Sequence, residues 1–131
     1  MPTTRAMSWV RPLVRATLIG TVLQLVMVVV GHYNARVAGL FAVMGMFLSL
    51  VAGFLFGRWS GDLRGGGAAL GGLVAGGVCA LLGILESFYL GDVPAWVIAF
   101  GSVSSAVTGA IGGFLGKLTV KRTTQNAERR T

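Results

Sequence analysis

The chain has 131 residues, 54% of them hydrophobic and 11% charged, with 11 Lys or Arg against 4 Asp or Glu. A water-soluble domain carries about 25% charged residues to wet its surface, so this composition excludes an ordinary soluble globule and a disordered chain. A single Cys and a single His exclude an intrachain disulfide framework and a usual zinc site.

Four stretches lack Asp, Glu, Lys and Arg: Ala16–Ala35, Val37–Gly57, Gly65–Leu85 and Val93–Gly116. About 20 apolar residues in a helix cross a hydrocarbon layer of about 30 Å, and lipid leaves the backbone to satisfy its own hydrogen bonds. After a short segment over 1–11, the first stretch predicts a helix over 12–34. Pro12 suits its first turn, where a missing N–H costs nothing. Arg5, Arg11 and Arg15 precede it as a signal-peptide n-region would. Its apolar run exceeds a typical h-region and no clean small-x-small cleavage site follows, so it reads as a retained helix. The remaining spans are expected near 37–57, 66–89 and 94–117, followed by a basic, mobile tail over 118–131. The connections are short, which predicts antiparallel neighbours. The expected fold is an all-α integral membrane four-helix bundle.

Ten of the eleven basic residues fall before the first helix, between the second and third, or after the fourth. The positive-inside rule then places both termini in the cytoplasm, as in a bacterial inner membrane protein. Trp9 and Trp59 fall at that interface, and Tyr33, Tyr89 and Trp96 at the opposite one. Because the basic residues are spread over three segments, they read as topology signals. No nucleic-acid groove is expected.

Shifting the sequence by 56 residues lays the first hairpin on the second, with ten identities. They are Gly20/Gly76, Val22/Val78, Leu25/Leu81, Tyr33/Tyr89, Val37/Val93, Gly45/Gly101, Ser49/Ser105, Val51/Val107, Gly53/Gly109 and Gly57/Gly113. Two tandem hairpins of the same orientation imply a pseudo-two-fold axis along the membrane normal. The matched small residues recur every fourth position: Gly45, Ser49, Gly53 and Gly57 on the second helix, Gly101, Ser105, Gly109 and Gly113 on the fourth. The third helix carries Ala68, Gly72, Gly76 and Ala80. Such stripes let another backbone approach closely, within one chain or between chains.

No ionisable residue falls near the middle of a span. Gln24, Ser49, Cys79, Ser102, Ser104, Ser105 and Thr108 are the mid-depth polar groups. An amide in hydrocarbon seeks a partner on another helix, whereas Ser and Thr can bond their own helix one turn earlier. The densest polar cluster is expected where the two hairpins turn, with His32, Arg36, Glu86 and Asp92. Arg36 corresponds to Asp92 under the repeat and could pair with it, while Glu86 could accept from His32 or Arg36. This cluster is either a polar cap or a ligand or proton-access site.

No catalytic motif is present, and neither enzyme activity nor a cofactor is expected. The expected partners are membrane lipid and other membrane subunits or the chain itself, with no nucleic acid. Two functions remain open. One is a packing or assembly subunit held by its Gly/Ser stripes. The other is a small channel or uncoupled transporter, with a path lined by Gln24 and the Ser/Thr face of the fourth helix.

Overall fold

The computed structural model describes residues 9–61 and 63–130. Arg5, counted above among the basic residues, lies outside them. The elements are α1 (Val10–Tyr33), the single-turn α2 (Ala35–Ala38), α3 (Phe41–Trp59), α4 (Gly65–Tyr89) and α5 (Trp96–Arg130). The four long helices are each long and apolar enough to cross a membrane, and they form an all-α four-helix membrane bundle. One end of the bundle, here the basic end, carries Arg11, Arg58, Arg64 and Lys117. The other, the hairpin end, carries the turns after α1 and α4.

Two boundaries depart from the sequence expectation. The second span does not begin at 37. Asn34 is extended (φ −134°, ψ 106°), and its side-chain oxygen accepts from the Arg36 N–H at 3.0 Å, capping the separate turn α2. The ring of Phe41 then lies over Gly31, where a methyl group would collide with it. The second departure is at the end of the chain. The helix does not stop at 117 but continues through the expected tail to Arg130. After Gly116 there is no Gly or Pro to break it. Thr119, Thr123 and Thr124 bond back to the carbonyls of Leu115, Thr119 and Val120 at 2.6, 2.9 and 3.0 Å, as helical threonines do.

The centre is built from small side chains. Ala16, Ala52, Ala75 and Cys79 are fully buried around Phe56, and large hydrophobic residues such as Leu18, Val43, Phe47, Leu70 and Val103 face outward. Outward bulk suits a lipid surroundings, because helix association there comes from close van der Waals contact and not from expelling water. At the basic end the helices nearly touch backbone to backbone. A methyl group on Gly53 would collide with the carbonyl of Gly109, and one on Gly57 with that of Gly113. One on Gly76 would stand 2.8 Å from the Gly109 α-carbon and 3.0 Å from the Ser105 oxygen. Gly72 packs equally closely on Gly109 and Gly113.

Repeat mates therefore meet where the parallel helices α3 and α5 cross. The full packing is less symmetric than the repeat predicts. The helix α5 packs extensively on α3 and α4, whereas α1 packs on α3 and α4 without a substantial contact to α5.

Candidate functional site

The unequal packing of α1 and α5 leaves a cavity of about 280 Å³ in the hairpin half of the bundle. All four long helices contribute to it. Gln24, Met27 and Val28 come from α1, and Phe41, Ala42, Gly45 and Met46 from α3 with its first turn. Ala80, Gly83, Ile84 and Ser87 come from α4, and Trp96, Val97, Phe100, Gly101, Ser104 and Ser105 from α5. The bulk of Phe41, Met46, Trp96 and Phe100 holds these ends apart, while the glycines hold the basic ends together. The cavity is thus closed towards the basic end by backbone contact. None of its lining residues is ionisable.

Its polar floor is the amide of Gln24, a residue only 3% exposed. Gln24 Nε2 donates to the Gly45 carbonyl at 3.0 Å and to Ser49 Oγ at 3.4 Å. Ser49 Oγ in turn donates to the Gly76 carbonyl at 3.2 Å, joining α1, α3 and α4 through one chain of bonds. Cys79 Sγ donates to the same carbonyl at 3.3 Å. The demand of an amide in hydrocarbon for a partner on another helix is thus met inside this chain. Ser104 and Thr108 bond back to Phe100 and Ser104 at 2.9 and 2.8 Å, whereas the buried hydroxyls of Ser87 and Ser102 find no partner among the described residues.

The expected partners at the hairpin end are rearranged. Asp92 pairs with His32, Nδ1 to Oδ2 at 3.0 Å and to Oδ1 at 3.2 Å, and not with Arg36. A Schellman turn at the end of α4 sets this geometry. Gly91 has φ +82°, its N–H bonds to the Phe88 carbonyl, and the Asp92 N–H bonds to that of Ser87, each at 3.0 Å. Arg36 is exposed, and it is its backbone N–H that donates to the Asn34 side chain. Glu86 bonds neither His32 nor Arg36, and its Oε2 is buried without a partner among the described residues. The cluster is therefore not one site. It is a His32–Asp92 pair, an exposed Arg36 and a separate Glu86.

The small-residue stripes also resolve into individual roles. Gly53, Gly57, Gly72, Gly76, Gly109 and Gly113 make the backbone approaches described above, and Ser49 and Ser105 are buried beside them. Gly45 and Gly101 do not: a methyl on Gly45 would make ordinary contacts beyond 3.6 Å, and one on Gly101 would meet only the Ile84 side-chain tip. The stripe reading missed Gly112 and Gly116, where added methyls would strike the carbonyls of Leu50 and Phe54. Their own four-residue spacing was the available signal. It also missed Lys117, which is buried and donates to the Gly61 carbonyl in the α3–α4 turn.

No group of three or more His, Cys, Asp or Glu among the described residues is arranged to hold a metal ion. Comparison of the chain with protein-family models, with curated proteins and with solved structures finds no match.

Proposed function

We propose that this protein is a small membrane-embedded carrier or binding protein, with no enzymatic activity, whose working element is the cavity in the hairpin half. The observation that carries this reading is a cavity of about 280 Å³ reaching into the bundle between helices that the glycines clamp only at the opposite end. A clamped end and a splayed end suit a site that accepts a molecule from one side or from the bilayer, more than an open channel. Gln24, Ser104 and Ser105 belong to this path, while Ser102 and Thr108 do not line it. The lack of ionisable lining residues favours uncoupled movement or simple binding. The concentration of Arg11, Arg58, Arg64 and Lys117 at one end supports cytoplasmic termini in a bacterial inner membrane.

The assembly reading relied on small-residue faces available to other subunits. Gly53, Gly57, Gly72, Gly76, Gly109 and Gly113 are occupied by one another within this chain, which weighs towards the cavity. Gentle extraction followed by native mass spectrometry tests the choice. A carrier is expected to retain a low-mass adduct that disappears when Ala42→Leu and Ser104→Leu fill the cavity. A fixed-ratio complex with larger membrane proteins, no adduct, and no effect of cavity filling would overturn the proposal.

A further inference from the structure

The geometry points to the class of molecule the cavity takes: a compact, neutral, apolar body carrying one hydroxyl group. This deepens the carrier reading and rests on it. One polar group on the cavity wall lacks a partner among the described residues, and a second has one end that the bonds described above do not use. Ser87 is 3% exposed, lines the cavity, and its Oγ has no partner among the described residues. Ser104 and Thr108 satisfy themselves on their own carbonyls at 2.9 and 2.8 Å, and of the two buried hydroxyls that do not, Ser87 and Ser102, only Ser87 lines the cavity. A buried hydroxyl without a hydrogen bond costs free energy that a ligand group would recover.

The second group is the oxygen of the Gln24 amide. The Gly45 carbonyl can only accept, which fixes Nε2 on that side and makes Oε1 the remaining end. Oε1 lies beside Gly83 and Gly45, both in the cavity wall. It offers an acceptor, and Ser87 offers a hydroxyl that can donate. A ligand hydroxyl can donate to Gln24, or accept from Ser87 once that hydroxyl turns to the cavity.

Charge and size narrow the class further. With no ionisable side chain in the wall, an ammonium or carboxylate would enter without a counter-charge, at heavy desolvation cost. The remaining wall is aliphatic and aromatic, with Met27, Ile84, Phe100 and Trp96. A cavity of about 150 Å³ holds benzene, so the space here suits about ten heavy atoms. A plain lipid acyl chain would fill the volume but leave both polar groups unanswered.

Trp96 in the wall supplies a reporter. In the Trp9→Phe, Trp59→Phe background it is the only tryptophan, and bromine quenches its fluorescence on contact. The protein in nanodiscs is titrated with 6-bromohexan-1-ol and with 1-bromohexane, compared at equal mole fraction in the bilayer. The alcohol is expected to quench saturably at about tenfold lower mole fraction, the worth of one net hydrogen-bonded group. Ser87→Ala and Gln24→Leu are expected to erase that advantage and leave quenching by the bromoalkane unchanged. Ser87→Ala breaks no bond within the protein, so it remains informative if Gln24→Leu does not fold. Equal potency of the two probes, or preference for the alkane, would overturn the ligand class and leave the carrier reading standing. No saturable quenching by either probe in folded protein would overturn both.

Discussion

Gly53 and Gly109, 56 positions apart in the sequence, meet so closely that a methyl group on the first would strike the carbonyl of the second. Gly57 and Gly113 repeat the contact one turn further on. Alanine at Gly53, Gly57 or Gly112 must push two backbones apart, because the opposing atom is a carbonyl and not a yielding side chain. Each substitution is expected to destabilise the bundle by about 1–3 kcal/mol. At Gly45, with open contacts, and at Gly66, with nothing within 4 Å, alanine is expected to be neutral or mildly stabilising. Thermal unfolding of the set in one detergent checks the contrast.

The Gln24–Ser49–Gly76 chain ties three helices together at mid-bundle. Gln24→Leu and Ser49→Ala should each cost about 0.6–2 kcal/mol, the range for hydrogen bonds between membrane helices. Because the two side chains share one bond, the double variant should lose less than the sum of the single losses. A double-mutant cycle on reversible unfolding measures the coupling. Additive losses would show that the shared bond contributes nothing.

His32 and Asp92 are partly solvent-exposed, so their pair is worth little. Asp92→Asn is expected to lower stability by about 1 kcal/mol or less. The structural consequence is larger than the energetic one, since this pair links α1 to the turn beyond α4. Spin labels on the ends of α1 and α4 should report a broader distance distribution in Asp92→Asn. Arg36→Ala should leave both stability and distances unchanged, because Arg36 is outside the pair.

Glu86 has a carboxylate oxygen buried without a partner among the described residues. Glu86→Gln removes a charge from that position and supplies a donor, with the same shape. It is expected to hold stability constant or raise it by about 1–3 kcal/mol. A clear loss on thermal unfolding would mean that the charge itself is used.

The four spans were legible because a 20-residue run without charge has few alternatives in any solvent. Spacing and repeat marked Gly53, Gly57, Gly109 and Gly113 as small-residue positions, but not that they meet one another within the chain. Gly112 and Gly116 were hidden because one glycine series on a helix draws attention from a second on an adjoining face. His32–Asp92 was not legible, because it depends on the turn that Gly91 permits with its positive φ. The repeat instead matched Arg36 with Asp92, a correspondence in sequence that the asymmetry of α1 breaks in space. The cavity follows from that same asymmetry, together with bulk at Phe41, Trp96 and Phe100. It belongs to no single segment, so no local pattern announced it.

The placement of α1 against α3 and α4, away from α5, has a consequence for the order of events during synthesis. The helix α1 is made before α4 yet has half of its docking surface on it, and α4 is not complete until residue 89 has been added. The backbone-to-backbone glycine contacts of α5 wait for that 35-residue helix. The helices α1, α3 and α4 can join beforehand through the Gln24–Ser49–Gly76 bonds, but the glycine contacts with α5 close only once that span arrives. A chain stopped after α4 would hold inserted helices without that clamp.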